Sequence, residues 1–243
     1  MPDGSGVLAE GESVPVPLAV RTSDLPVRAA SAAVMLLVAG VALWLGGMVL
    51  DIFVALVAVV GFGEAALLIF RATPNLAVRL AGVLVAFFYI GLAASALAEM
   101  RPAMVLAVLG VVIATDTGAY FTGRRFGGPK IAPRISPSKT WSGLAGGMLG
   151  AGLVLACIGF AVGPQAGWEE SARVSFATAA FFAGALLAIA AQAGDFLESW
   201  LKRKAGVKDS SRLIPGHGGV LDRVDGLLPV ALIVGLSGAA TAW

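Results

Sequence analysis

Residues 141–163 read WSGLAGGMLGAGLVLACIGFAVG, 23 consecutive residues without a charged side chain. A helix needs about 20 apolar residues to cross the roughly 30 Å hydrocarbon core of a bilayer. The run therefore predicts a transmembrane helix. Its glycines Gly143, Gly146, Gly147 and Gly150 recur at three- and four-residue spacing, which in membrane helices favours close packing against a neighbouring helix.

The composition extends this interpretation to the whole chain. Of the 243 residues, 58% are hydrophobic and only 13% are charged, whereas soluble domains average about 45–50% apolar and about 25% charged residues. So little charge cannot cover the surface of a water-soluble globule of this size. The composition fits a soluble enzyme, a disordered chain, a coiled coil or a nucleic-acid-binding domain poorly, and it predicts an integral membrane protein.

Seven apolar runs predict an all-α, polytopic helical membrane fold. They cover residues 29–49, 52–70, 76–98, 102–123, 141–163, 174–194 and 227–243. Because the division around Asp51 and the short last run leave the count open, we expect seven to nine transmembrane helices. These form a single domain, 29–243, and the polar, proline-containing segment 1–28 before it is expected to be a mobile tail.

The basic residues are concentrated on one side of the predicted membrane. Segments 124–140 and 195–226 hold 11 of the 17 lysines and arginines. Two predicted spans separate the segments, so both lie on the same side. Since basic loops face the cytoplasm, we expect a multi-pass protein of the inner, cytoplasmic membrane whose charged loops and amino terminus face the cytoplasm.

The most densely charged segment, residues 194–225, reads GDFLESWLKRKAGVKDSSRLIPGHGGVLDRVD and contains five acidic and six basic residues. If residues 195–204 continue the sixth helix, one face carries Asp195, Ser199, Lys202 and Arg203. The turn PGHGG at 215–219 then brings the chain back.

Asp222 and Asp225 follow this turn at a spacing of three, so their side chains can point the same way. Carboxylates that converge repel one another unless a cation joins them, and oxygen ligands of this kind favour Mg²⁺, which also binds substrate phosphates. Lysine and arginine side chains beside such a site bind phosphates. The segment therefore indicates phosphoryl or nucleotidyl transfer at the cytoplasmic membrane face.

Asp116 and the loop after it form a second candidate region. Asp116 lies near the cytoplasmic end of the fourth predicted span, where an ionisable group is costly and therefore a functional candidate. In loop 124–140, three prolines restrict the backbone, and donors cluster at Ser136, Ser138, Lys139 and Thr140. The loop favours polyphosphate binding, although its charge alone is also typical of a topology signal that contacts lipid headgroups.

Two single residues have alternative interpretations. Glu64 in the second predicted span fits a helix-packing or hydrogen-bonding role as well as a functional one. His217 is the only histidine and lies in a glycine-rich turn. There a local hydrogen-bonding role competes with that of a general base.

The charged segments match the pattern of a known family. Residues 199–225, SWLKRKAGVKDSSRLIPGHGGVLDRVD, resemble the signature of phosphatidate cytidylyltransferases (CDP-diacylglycerol synthases). DTGAYF at 116–121 and SPSKTWSG at 136–143 are similar to the same family. The resemblance covers almost half the chain, about 116–228. It implies transfer of the cytidylyl group of CTP to phosphatidate (phosphatidic acid), giving CDP-diacylglycerol and pyrophosphate, with a divalent metal and an all-helical membrane fold.

The resemblance also implies roles for individual residues. The expected Mg²⁺ ligands are Asp195, Asp222 and Asp225, with Asp116 as a further contributor. The expected catalytic residues are Lys202, Arg203, Lys208, Asp209 and Arg223. The expected substrate-binding residues are Ser136, Lys139, Thr140, Ser199 and His217. Whether a second, monovalent cation shares the metal site stays open. Family members are described as dimers, so a homodimer in the membrane is expected.

Other functions stay open at this point. The nearest alternative is another CTP-using membrane enzyme, such as a lipid-alcohol kinase or a cytidylyltransferase that acts on an ether or prenyl lipid phosphate. A transporter fits less well, because the charges cluster at one membrane face instead of lining a path near the midplane. A CDP-alcohol phosphotransferase is disfavoured because its DGxxAR pattern is absent.

Overall fold

The computed structural model describes residues 25–162 and 167–238, which form eight helices and one two-stranded hairpin. The helices are α1 (Leu25–Leu45), α2 (Gly47–Ala72), α3 (Leu76–Glu99), α4 (Pro102–Phe126), α5 (Trp141–Val162), α6 (Glu170–Lys204), α7 (Leu221–Val224) and α8 (Leu227–Leu236). Within the described residues, α1 to α6 are long and apolar enough to cross a membrane. The polytopic helical fold is therefore confirmed.

The structure changes both ends of the predicted span pattern. α1 begins at Leu25, so the last residues of the predicted polar tail are helical, while residues 1–24 lie outside the described residues. The seventh predicted span, 227–243, contains the ten-residue helix α8, and residues 239–243 lie outside the described residues. At 1.5 Å per residue α8 is only about 15 Å long. The described ranges thus hold six helices of spanning length instead of seven to nine.

A short antiparallel hairpin connects α4 to α5. Its strands are β1 (Lys130–Ala132) and β2 (Ser136–Thr140), with Lys130 opposite Thr140 and Ala132 opposite Ser136. The predicted proline-rich loop therefore has regular structure. Because β2 runs directly into α5, the hairpin places its donors beside the ends of α4 and α5.

Helix α6 carries charged residues beyond the apolar part of the bundle. It has 35 residues, which corresponds to about 52 Å at 1.5 Å per residue, whereas a hydrocarbon core is about 30 Å thick. The prediction that residues 195–204 continue the sixth helix is confirmed. The last turn is basic, which is favourable at the negative end of the helix dipole.

Close packing of α4 against α5 depends on glycine. All four glycines predicted to form a packing face on α5 lie against α4. A Cβ atom on Gly147 would lie 2.9 Å from the backbone oxygen of Thr115, and one on Gly150 would lie 2.8 Å from that of Ala114. The predicted glycine face is therefore confirmed, and it brings the Asp116 region close to the hairpin.

Helix α5 also packs closely against α6, and this second contact provides a test of packing that depends on glycine. In Gly184→Ala, the added methyl carbon would lie 2.5 Å from the backbone oxygen of Ala151, and overpacking of this kind costs about 1–3 kcal/mol. In the control Gly63→Ala, the new carbon meets nothing within 4 Å. Thermal unfolding in detergent should show a lower midpoint for Gly184→Ala only. Equal midpoints in the two variants would contradict the packing described here.

Candidate functional site

Three carboxylates from two parts of the chain converge near the end of α6. Asp195 and Glu198 lie on α6, and Asp225 follows directly after α7. One carboxylate oxygen from each of the three lies within 4.8 Å of the other two. We call Asp195, Glu198 and Asp225 the acid cluster. A cluster of this composition offers oxygen ligands of the type that Mg²⁺ prefers.

The close approach of Asp225 to α6 depends on Gly194. A Cβ atom on Gly194 would overlap with the backbone oxygen of Asp225 and would lie 2.8 Å from Cγ of Pro229. Any larger residue at this position would push the segment after α7 away from the helix. The glycine immediately before Asp195 therefore allows the third carboxylate to join the other two.

Positive charge compensates the acid cluster only in part. The Glu198 side chain is 5% exposed, and the ammonium of Lys202 lies 2.5 Å from its Oε2. Among the described residues, Lys202 is the only cation that forms an ion pair with Glu198, and Oε1 of Glu198 has no hydrogen-bond partner. Burial raises the pKa of Asp225 to about 7, and the negative charge of Asp195 adds to the effect. Buried carboxylate oxygens without donors are unfavourable, so this arrangement suits a cation.

Three residues predicted from the sequence lie around the acid cluster. Lys139, from strand β2, forms an ion pair with Asp195. The hydroxyl of Ser199 donates to Asp195 Oδ1 at 3.1 Å. Asp116 on α4 is close enough to interact electrostatically with Asp195 and Asp225. The hairpin and α4 thus supply side chains to the same place as α6.

Asp222 is not part of the acid cluster and lies within a ring of donors. Its Oδ2 accepts from the backbone amide of Ser210 at 2.9 Å, the Ser210 hydroxyl at 2.9 Å and the Gly219 amide at 2.8 Å. Its Oδ1 accepts from Lys202 at 2.7 Å. Burial alone would raise the pKa of Asp222, but its interactions with Glu198, Lys202 and the two amides hold the pKa well below its usual range. Asp222 orders the segment before α7, and metal binding by it stays a prediction.

A cavity of about 500 Å³ adjoins the segment between α6 and α7. Its charged and imidazole side chains are Arg28, Lys208, Asp209, Arg212, His217 and Arg223. We call it the basic cavity. Four cations against one carboxylate favour an anionic occupant, and lysine and arginine suit phosphate groups in particular. Four predicted site residues, Lys208, Asp209, His217 and Arg223, lie here rather than at the acid cluster.

The amino-terminal end of α1 contributes to the wall of this cavity. The Ser31 hydroxyl donates to the backbone oxygen of Pro215 at 2.9 Å and lies 2.8 Å from Nδ1 of His217. Which atom donates in the second contact depends on the tautomer of His217. Arg223 donates to the backbone oxygen of His217 at 2.8 Å. His217 therefore has local hydrogen-bonding contacts of the kind considered for it, while the general-base role stays a hypothesis.

The other predicted residues lie on the hairpin or contact it. The hydroxyl of Thr140 accepts from the Gly143 amide at 3.1 Å, which is the geometry of a helix N-cap. Ser136 begins β2. Arg203 reaches the hairpin by donating to the backbone oxygen of Ile135 at 3.4 Å. Their roles in catalysis or substrate binding stay predictions.

Several residues of the site were not predicted. The sequence could have identified Glu198 as a site residue, because it lies three residues after Asp195 on the same helix and so shares its face. Arg28 and Ser31 lie on α1, almost 200 residues before the turn at 215–219 that they contact. No local pattern connects residues so far apart in the chain.

The fold and the site define the class of protein. It is a polytopic membrane protein with an acid cluster and a basic cavity at the end of its helices. The chain belongs to the cytidylyltransferase family, whose model matches residues 98–238. This range contains the acid cluster and every charged residue of the basic cavity except Arg28. The resemblance seen in the charged segments is thereby confirmed.

Individual relatives extend the comparison. The phosphatidate cytidylyltransferase of Brucella suis biovar 1 (strain 1330) is 44% identical over 164 residues, which are 64% of this chain and 56% of that protein. That of Haemophilus influenzae is 47% identical over 126 residues, 51% of this chain and 41% of the relative. That of Rickettsia conorii is 42% identical over 124 residues, which are 51% of this chain and 53% of the relative. The chain spans about half the length of the curated relatives it matches.

Variants of Thr140 can distinguish a structural role of its N-cap hydrogen bond from a role in substrate binding. Thr140→Val removes the oxygen that accepts from Gly143 and should cost about 1 kcal/mol of stability, whereas Thr140→Ser should keep the cap. Thermal unfolding in detergent measures the difference. A Thr140→Val protein with unchanged stability but weaker substrate binding would contradict the capping role.

Proposed function

We propose that the chain transfers the cytidylyl group of CTP to phosphatidate, forming CDP-diacylglycerol and releasing pyrophosphate. The observation that carries the proposal is the acid cluster, whose three carboxylates lie on the family-matched segment. The relatives are phosphatidate cytidylyltransferases, and their activity indicates the substrate class. The basic cavity supports a substrate with several phosphates, because its lining is mostly cationic.

A divalent cation, Mg²⁺ in the first place, fits the acid cluster. Ligands bound to one Mg²⁺ at about 2.1 Å lie at most about 4.2 Å apart, so the carboxylate oxygens within 4.8 Å of one another need only small side-chain shifts. Oε1 of buried Glu198, which has no hydrogen-bond partner among the described residues, supports the same fit. When bound, the ion would neutralise phosphate charge and orient phosphate oxygens. Ligation by Asp116 or Asp222, and a second, monovalent ion, remain parts of this proposal.

The reaction needs positioning and charge neutralisation more than it needs a base. An oxygen of the phosphatidate phosphate forms a bond to the α-phosphorus of CTP, while the bond from that phosphorus to the bridging oxygen breaks. The electron pair leaves with pyrophosphate. Because the attacking phosphate is already an anion, no proton has to be removed. The chain's contribution is to hold both anionic substrates close together, with lysine and arginine side chains opposing their mutual repulsion.

The positions of the lysines fit this task. Lys202 lies between the acid cluster and Asp222, and Lys139 reaches the cluster from the hairpin. Lys208 and Arg223 line the basic cavity. We propose that these four side chains bind substrate phosphates, with the basic end of the bundle facing the cytoplasm of the inner membrane. Assembly as a homodimer remains an expectation from the family.

Turnover with a defined lipid tests the proposed function. Purified protein in detergent is supplied with Mg²⁺, CTP labelled at the α-phosphorus, and either phosphatidate or a prenyl phosphate. We expect label in CDP-diacylglycerol only, with unlabelled pyrophosphate released. Label in a prenyl product would favour the alternative cytidylyltransferase. With CTP labelled at the γ-phosphorus and a lipid alcohol as acceptor, label in the lipid would favour a kinase.

Removing one ligand of the acid cluster should abolish this turnover. In Glu198→Gln or Asp225→Asn, the loss of a carboxylate should lower the rate at least about 100-fold, more than is typical for residues that only support metal ligands. EDTA should have the same effect on the unmodified protein, and excess Mg²⁺ should reverse it. Glu99→Gln, an exposed acid at the end of α3, is the control. Turnover in EDTA would contradict the proposed role of the cluster.

Residues of the basic cavity should affect CTP binding. Lys208→Gln removes one cation from the lining, and the loss of one charged hydrogen bond should raise KM for CTP by about tenfold. Lys204→Gln changes an exposed lysine at the end of α6 that does not line the cavity. Initial rates at varied CTP measure the effect. An equal KM in the two variants would place the nucleotide elsewhere.

A further inference from the structure

Glu64 is a buried carboxylate on a membrane-spanning helix. It lies on α2 and is 5% exposed. Within residues 25–162 and 167–238, no lysine or arginine forms an ion pair with it. A buried carboxylate without a cation is strongly unfavourable unless donors surround it. Glu64 lies outside the segment matched by the family model. Its hydrogen-bond partners therefore have to indicate its role.

Four donors satisfy the carboxylate, and all come from one segment. Oε1 accepts from the Ser211 hydroxyl at 2.6 Å and from the Val220 amide at 3.1 Å. Oε2 accepts from the Leu221 amide at 2.7 Å and lies 3.0 Å from the Ser210 hydroxyl, whose single proton it shares with Asp222. Hydrogen bonds to an ionised acceptor are the stronger kind. One side chain of α2 thus binds both ends of residues 210–221, which we call the clamped segment.

The clamped segment packs so closely around Glu64 that its two turn glycines have no space for a side chain. A Cβ atom on Gly219 would lie 2.5 Å from Oε2 of Glu64 and would overlap with the Ser210 hydroxyl. Gly218 has a φ of +85°, and a Cβ atom there would lie 2.7 Å from Oδ2 of Asp222. The paired glycines of the turn therefore allow the backbone to approach two carboxylates at once.

A continuous set of contacts joins Glu64 to the acid cluster. The Ser210 hydroxyl lies between two carboxylates, 3.0 Å from Glu64 and 2.9 Å from Asp222. Asp222 binds Lys202, which is paired with Glu198 of the cluster. The Leu221 amide belongs to the first turn of α7, four residues before Asp225. Displacing the clamped segment would therefore move both Asp225 and the partner of Lys202.

We infer that Glu64 is a positioning residue that fixes the clamped segment and thereby holds Asp225 and the wall of the basic cavity in place. Glu64 contacts neither the acid cluster nor a side chain expected to bind phosphate, so it acts through the backbone and hydroxyl groups that it binds. The effect on turnover rests on the proposed function. The effect on the segment itself does not.

Limited proteolysis tests the inference without any reaction. Lys208 and Arg212 are exposed trypsin sites just before and within the clamped segment. In Glu64→Gln, the amide NH₂ would face one serine hydroxyl and one backbone amide. The hydroxyl can turn to accept a hydrogen bond, but the backbone amide loses its acceptor. With EDTA present, cleavage after these residues, followed by mass spectrometry, should be at least about tenfold faster than in the unmodified protein, because cleavage follows the population of the opened segment.

Two further variants make the comparison specific. Asp51→Asn makes the equivalent change at an exposed position on the same helix, and its cleavage should match that of the unmodified protein. Ser211→Ala removes a single donor and should accelerate cleavage by a smaller factor. This variant keeps the test available if Glu64→Gln does not fold. Glu64→Asp, which keeps the charge, should restore part of the protection.

Kinetics separate positioning from a merely structural role. In Glu64→Gln, kcat should fall at least about tenfold and the Mg²⁺ concentration for half-maximal rate should rise, while the thermal midpoint stays close to that of Asp51→Asn. Unchanged cleavage would overturn the inference, and so would faster cleavage with unchanged kcat and Mg²⁺ requirement. If the unmodified protein makes no CDP-diacylglycerol, the proposed function fails, and the cleavage rates alone decide whether Glu64 holds the segment.

Discussion

The electrostatic cost of burying carboxylates at the end of an apolar bundle governs the rest of this structure. Two carboxylates, Glu64 and Asp222, are satisfied by hydroxyl and amide donors of the segment between α6 and α7. The acid cluster is different, because among the described residues Oε1 of buried Glu198 has no donor and Oε2 is paired only with the ammonium of Lys202. A carboxylate whose oxygens all have donors orders the polypeptide, and a buried carboxylate oxygen without a donor favours a cation.

The apolar helices make this arrangement possible by packing closely. Glycines on α5 bring α4 within backbone contact, and Gly194 on α6 admits the segment that carries Asp225. Each of these contacts lacks space for a methyl group. The hairpin between α4 and α5 then reaches α6 through Lys139. Chain segments that are far apart in sequence therefore contribute charged groups to one end of the bundle.

The sequence predicted the helical membrane fold and most of the charged site, because both depend on local patterns. Long apolar runs predict spans, and Asp195, Ser199 and Lys202 share a face through helical spacing. The different environments of Asp222 and Asp225 were not predictable, although the two are only three residues apart. Asp222 faces Ser210 and Gly219, and Asp225 faces α6. The difference between the environments of Asp222 and Asp225 depends on how the turn at 215–219 folds against α1 and α2. The spacing of residues within segment 194–225 does not encode it.

Binding of Mn²⁺ in the absence of substrate tests the central claim that the acid cluster holds a divalent cation. Electron paramagnetic resonance of the purified protein in detergent counts free and bound Mn²⁺. The account predicts a bound ion that excess Mg²⁺ displaces, with affinity lowered at least about tenfold in Glu198→Gln and unchanged in Glu99→Gln. Equal Mn²⁺ affinity in the two variants, or no Mg²⁺-displaceable ion in the unmodified protein, would contradict it.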